Sequence, residues 1–208
     1  MNQGITRRAR YVAASLAVAV VTACGGNTAP PPQPGQMRGS PPNLTGRRVI
    51  LLPVQRVSDV VGDIDAELAF TLRDRGREIE WIGEDDVEEV LARSPGANVR
   101  TRGLPVGDFL VAEVRRIGDP LYGQLRRMAA LVDAEAVLIP IAATFEPNQL
   151  VVNAQPRVRL TMTLIEPRSG RVVWFGVEEG GDFPRQDPRA LASAVERVAR
   201  TLFGHVGG

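Results

Sequence analysis

Arg157-Val158-Arg159-Leu160-Thr161-Met162-Thr163-Leu164 is the stretch on which the fold turns. Polar and apolar residues alternate along its whole length, the pattern of a strand with one face in a core. Pro167-Arg168-Ser169-Gly170 then has turn chemistry, so residues 171–177 read as the returning strand of an antiparallel hairpin. Upstream the pattern changes. Residues 136–142 and the run Arg48-Val49-Ile50-Leu51-Leu52-Pro53-Val54 are continuously apolar and rich in branched side chains, which reads as strands buried on both sides.

Between these runs the apolar period lengthens to that of a helix. Val61, Ile64, Leu68 and Leu72 fall on one helical face, with Asp63 as cap and Gly76 as stop. Residues 78–82 alternate like a strand, and Gly83-Glu84-Asp85 leads into a short helix carrying Val87, Val90 and Leu91. Residues 109–114 suggest another short helix. Asp119-Pro120 is a cap and first-turn pair ahead of Leu121, Leu125, Met128 and Val132 on one face. Asp187-Pro188 opens a last helix with Leu191, Ala194, Val195, Val198 and Leu202 inward. No period assigns residues 94–118, which contain Pro95, Gly96, Gly103, Pro105 and Gly107. The expected fold is a mixed α/β (α+β) domain: about five strands, helices packed mainly on one face, in the order β-α-β-α-(α)-α-β-β-β-α.

The amino terminus has the three parts of an export signal: Arg7-Arg8-Ala9-Arg10, an apolar run over residues 12–21, and small residues up to Cys24. The run is too short for a membrane span, which takes about 20 apolar residues. Val21-Thr22-Ala23-Cys24 resembles the bacterial lipobox, in which the cysteine receives diacylglycerol and becomes the new amino terminus, with palmitate among the acyl groups expected there. Cys24 is the only cysteine, so it has no disulfide partner within the chain. An ordinary signal peptide is the competing reading, and twin-arginine export competes with the general secretory route. The expected organisation is a cleaved signal at residues 1–23, the lipidated Cys24 and a Pro/Gly-rich tether at 24–46, and one globular domain at 47–208. In polyproline II the tether reaches at most about 70 Å. Gly25 after the cysteine favours sorting to the outer membrane, facing the periplasm.

Composition narrows the chemistry. All 25 basic residues are Arg, so Schiff-base, Walker-type and lysine-base chemistry are excluded. Without residues 1–23 the chain has 22 Arg against 24 acids, a net charge of −2, which speaks against nucleic acid as a partner. His205, the only imidazole, lies at a Gly-rich end. Asp85, Asp86, Glu88 and Glu89 read as a solvated helix face with acids favoured near its start rather than a metal site. Acid pairs such as Asp63/Asp65 and Asp182/Asp187 have the residue types of a glycosidase but are equally common on surfaces, and Gly180-Gly181 reads as a loop to the last helix.

Val49-Ile50-Leu51-Leu52-Pro53, then Val132-Asp133-Ala134-Glu135-Ala136-Val137-Leu138-Ile139-Pro140, then Ser169-Gly170-Arg171-Val172-Val173-Trp174 together resemble a family of bacterial envelope lipoproteins. Its domain is like the amino-terminal domain of TolB, and it includes LpoB-type activators of penicillin-binding proteins and CsgG-type curli secretion proteins. Glu135 stands where the family usually has Asp and Pro140 where it has Gly. None of these stretches is a catalytic motif. A CsgG-like channel needs spare alternating segments for membrane strands, and the chain has no such pair. An LpoB-like regulator needs an anchor, a tether and a docking domain, and the sequence has all three in that order.

The expectation is a noncatalytic, lipid-anchored envelope protein that binds a protein partner. A polysaccharide-binding or hydrolytic protein is the alternative. No cofactor, metal or catalytic residue is assigned, and the partner and oligomeric state are unreadable. Arg157 and Arg159 on one strand, with Trp174 and Phe175 on opposite faces of the next, are the candidate contacts. Packing of both aromatics inside the domain is the competing reading.

Overall fold

The computed structural model describes Gln33 and residues 36–146 and 156–204. In chain order the elements are β1 (Met37–Arg38), β2 (Arg48–Leu51), β3 (Arg56–Ser58), α1 (Ile64–Arg75), β4 (Glu80–Ile82), α2 (Glu84–Ala92), α3 (Asp108–Val111), α4 (Leu121–Val132), β5 (Ala136–Glu146), β6 (Arg157–Glu166), β7 (Arg171–Glu179) and α5 (Pro188–Phe203). A 3₁₀ turn at Pro95–Ala97 lies between α2 and α3. The mixed α/β class holds, with seven strands among the described residues rather than about five.

The sheet runs β1-β7-β6-β5-β2-β4, with β3 also paired to β5. β6 and β7 form the expected antiparallel hairpin, and β5 pairs antiparallel to β6 to extend it into a meander. β2 pairs parallel to the first half of β5, and β3 to its second half. One long strand therefore serves two short neighbours in line. Pro53 has no N–H to give the ladder, so the chain leaves β5 there: Leu52 N–H reaches Leu138 O at 3.1 Å and Gln55 N–H reaches Pro140 O at 3.0 Å. The intervening Val54 N–H is taken by the Asp65 carboxylate at 2.7 Å.

Helices cover both faces of the sheet, which corrects the one-sided layering. Val49, Leu51, Leu138, Leu160, Met162 and Trp174 pack with α1 and α5. Ile50, Val137, Ile139, Ile141, Phe175 and Val177 pack with α2, α3 and α4 on the other side. The reason lies in the continuous apolar runs of β2 and β5, which place branched side chains on both faces and need cover on each. The unassigned stretch supplies part of that cover through Leu104, Val106, Phe109 and Ile117, all buried, with Phe109 stacked on Phe175 at 6.3 Å between centroids. In consequence the polar row of β6 is not half-exposed throughout: Thr161 and Thr163 are buried, and Thr163 Oγ1 donates to Trp174 O at 3.0 Å.

Two of the three expected Asp caps hold, and at α4 Pro120 takes the cap position while Asp119 before it accepts from the Gly123 N–H at 2.9 Å. Asp63 accepts from the Ala66 N–H at 3.0 Å, Gly76 closes α1, and Asp187 accepts from the Arg189 N–H at 2.9 Å. Because the cap fixes the start of α1 at Ile64, Val61 precedes the helix and is exposed rather than inward.

The described part of residues 24–46 is not a free tether. Met37–Arg38 pairs antiparallel to Phe175 and Gly176, Leu44 is buried in the core, and Gly46 N–H donates to Glu78 O at 2.7 Å. Residues 37–46 are thus part of the domain rather than of a tether. Gly39 permits it: its φ is +76°, and a Cβ there would meet Val173 O at 2.3 Å.

Candidate functional site

Cys24 and His205 lie outside the described residues. The remaining candidates separate into those consumed by the domain and those left at its surface.

Arg157 and Arg159 are consumed. Both sit where β6 begins, beside the start of the loop that follows β7. Arg157 grips Asp182 through two hydrogen bonds of 2.6 and 2.9 Å and has Glu179 at 3.7 Å. That guanidinium holds the Asp182 carboxyl below its ordinary value, chiefly through the hydrogen bonds. Arg159 pairs with Glu146 across the β5–β6 ladder at 3.0 Å. Trp174 and Phe175 are both buried, on opposite faces, so neither is a surface anchor. The Trp174 indole N–H has no hydrogen-bond partner among the described residues.

The acid pairs are structural as well. Asp63 caps α1, and Asp65 serves the Val54 N–H and Arg102, the latter at 3.0 Å. Asp187 caps α5 and is bonded by the Arg189 guanidinium, which together hold its carboxyl below the usual range. In the acidic start of α2, Asp86 accepts from the Gly83 N–H at 2.8 Å, while Glu84 and Glu88 share the Thr101 hydroxyl at 3.1 and 2.9 Å. Among the described residues no group of His, Cys, Asp and Glu is arranged to hold a metal ion. Gly180 and Gly181 join β7 to α5: a Cβ on Gly180 would meet Ala190 O and Ser193 Oγ at 2.6 Å, and the Gly181 N–H donates to Ser193 Oγ at 2.8 Å.

Two of the concavities among the described residues bear on binding. Beside α3 a cleft of about 230 Å³ is bounded by Phe109, Leu110, Thr144, Glu146, Arg159 and Thr161. It combines an ion pair, hydroxyls and an apolar wall, a binding chemistry, in a space below the roughly 300–1,000 Å³ common for small-molecule sites. A wider groove of about 560 Å³ runs between the segment containing Leu44, the α1–β4 turn and the end of α5, with Ile79 and Phe203 in its lining.

The surface also carries apolar side chains that the sequence reading did not single out. Phe70 is 73% exposed, Val111 63% and Val57 56%. Phe70 had a legible signal, since it falls between Leu68 and Leu72 and so off the apolar face of α1. Val57 and Val111 had none, because β3 and α3 are too short to show a period. No described helix is long and apolar enough to cross a membrane.

No protein-family model matches the chain, and no curated protein matches it. Among solved structures it is similar to a dodecamer of PelC from Paraburkholderia phytofirmans, a single-substitution variant, at 18% identity over 80% of this chain and 95% of that one, with a TM-score of 0.49. It is similar to the LpoB C-terminal domain from Salmonella enterica, at 17% identity over 67% of this chain and 86% of that one, TM-score 0.45. A third likeness is lipoprotein GNA1162 from Neisseria meningitidis, at 15% identity over 74% and 96%, TM-score 0.44. These likenesses are of overall form at low identity, and no residue role passes from them to this chain.

Proposed function

We propose that this chain is a lipid-anchored protein of the bacterial cell envelope, acylated at Cys24 after removal of residues 1–23, whose α/β domain binds a protein partner without catalysing a reaction. The observation that carries the reading is Val21-Thr22-Ala23-Cys24 at the end of an apolar run, followed at once by Pro/Gly-rich chain and a folded domain. Outer-membrane placement facing the periplasm follows from Gly25 after the cysteine. The engagement of the candidate acids and of Arg157 in caps and ion pairs supports binding over chemistry, and exposed Phe70 is the kind of side chain that anchors a protein interface.

Intact mass and membrane fractionation beside Cys24→Ser test the anchor. The expected result is loss of residues 1–23, added acyl mass and membrane association in the native chain only. Two identical unacylated species would sink it. A photo-crosslinker at Phe70 tests the partner, and the expected outcome is one discrete protein adduct in envelope preparations.

The alternative has one foothold, the cleft of Arg159, Glu146, Thr144 and Thr161. Binding or turnover of envelope polysaccharide by the pure protein, lost in Thr161→Val, would favour it.

A further inference from the structure

The contacts of Gln36 to Gly46 with the domain shorten the tether. The Gln36 N–H donates to Gln33 O at 3.0 Å, and Gln36 O in turn accepts from the Val177 N–H at 3.1 Å, so the chain is already seated on β7 by Gln36. From Cys24 to Gln33 there are nine residue steps, which span at most about 32 Å however they are arranged. A lipid on Cys24 therefore keeps the β7 edge of the sheet within about one domain diameter of the headgroups.

That same edge is lined with arginine. β1 covers one part of β7, and residues 115–117 cover the other, with the Val172 N–H on Arg115 O at 2.9 Å and the Ile117 N–H on Gly170 O at 2.8 Å. Arg116 and Arg171 stand directly opposite each other in an antiparallel bridge, a like-charge placement that is unfavourable in isolation. Arg168 lies in the adjoining turn, fixed by the Tyr122 hydroxyl on its carbonyl at 3.0 Å. Arg38 and Arg115 share Glu113 at 3.5 and 3.0 Å, and Arg171 has Glu166 at 3.6 Å. Arg116 and Arg168 are exposed and form no ion pair among the described residues. Asp108 and Asp119 line the cleft beside Arg116, and Asp119 is engaged by the Gly123 N–H at 2.9 Å. Met37 and Val111, both exposed, flank the row.

We propose that the β7 edge is a second membrane contact, in which Arg116, Arg168 and Arg171 rest on the phosphate headgroups of anionic lipids in the membrane that holds the anchor. The domain then lies edge down, with β4 and the α1–α2 side turned away. Headgroup phosphates relieve the Arg116–Arg171 opposition, and Met37 and Val111 enter the interfacial layer. The orientation rests on the Cys24 reading; the affinity of the edge for anionic lipid does not.

The test uses the mature chain from residue 24 carrying Cys24→Ser, which has no acyl group, on vesicles of phosphatidylcholine with and without phosphatidylglycerol. Expected is partition to the anionic vesicles alone, weakened by salt and reduced roughly twenty-five-fold by Arg116→Ser with Arg168→Ser, at about fivefold per arginine. The charge-matched control is Arg73→Ser with Arg93→Ser, beside Gly83 and at the end of α2, which follow the opposite edge strand β4. Its partition should stay within about twofold of the parent chain. Equal partition to both vesicle types, or an equal loss in the control, overturns the proposal. So does displacement by inorganic phosphate beyond that by chloride at matched ionic strength, which would make the edge a site for a free anion. Acylation of the native chain, read by intact mass, is decided separately, so failure of the anchor and failure of the edge are distinguishable.

Discussion

The two faces of the sheet are covered by opposite means. On one, α1 and α5 run 12 and 16 residues and bury rows of Leu, Ala and Val at helical spacing. On the other, α2 and α4 leave a gap that residues 94–118 fill, and the α-helix within that stretch, α3, has four residues. A periodic face distributes its contacts over many equivalent side chains, whereas an irregular one hangs on a few: Leu104, Val106, Phe109 and Ile117. The difference has energetic content that substitution can expose.

The largest effect belongs to the regular face. Trp174 is fully buried against it, and Trp174→Ala should cost about 4–5 kcal/mol in urea unfolding, near the top of the usual range for aromatic truncation. Trp174→Phe should cost far less, about 1 kcal/mol, because the lost area is offset by removal of an indole N–H with no partner among the described residues. Phe109→Ala comes next at about 3 kcal/mol. Its signature differs: amide exchange should accelerate across residues 94–118 while α1 and α5 stay protected. Equal loss of protection on both faces would erase the distinction.

A smaller effect tests the strap over the β7 edge. Gly39→Val places a Cβ against Val173 O at a positive φ, so β1 should detach. The Val177 amide, which bonds Gln36 O, should then lose exchange protection at a global cost of about 1–2 kcal/mol. Smaller again is Asp63→Ala, which removes the cap of α1 and should cost about 1 kcal/mol.

What was legible follows the same division. The faces of α1, α4 and α5 and the β6–β7 hairpin were readable because each repeats a period over enough residues to stand out. β1 and β3 were not, since Met37–Arg38 and Arg56–Ser58 join the sheet through backbone hydrogen bonds to which side-chain pattern is blind. Residues 94–118 lacked a period because their cover is made of single contacts. At the candidate site, the polarity of Arg157 and Arg159 was visible, but not their partners: Asp182 is 25 residues from Arg157 and Glu146 13 from Arg159, separations set by topology. The second-face cover was missed although β2 and β5 are apolar on both sides, and such strands need two layers.

The smallest effect is electrostatic and lies where the two faces meet, at the edge shared by the start of β6 and the end of β7. Asp182 is held below its ordinary value by Arg157, so its deprotonated form is favoured by folding. The sign follows from linkage: the contribution is fully present above the unfolded carboxyl value, near 3.9 for a free Asp, and is lost as pH falls through the lowered folded value. Asp187, lowered by Arg189, acts in the same window. Asp182 faces solvent, so screening keeps its effect small. Thermal midpoints taken from neutral pH down into the acid range should therefore fall less steeply in Arg157→Ser than in the native chain, with the two curves converging at the acid end. Parallel curves would mean that the Arg157–Asp182 pair adds nothing here, and that the Gly180 N–H on Val158 O and the Gly181 N–H on Ser193 Oγ hold the start of the loop to α5 without it.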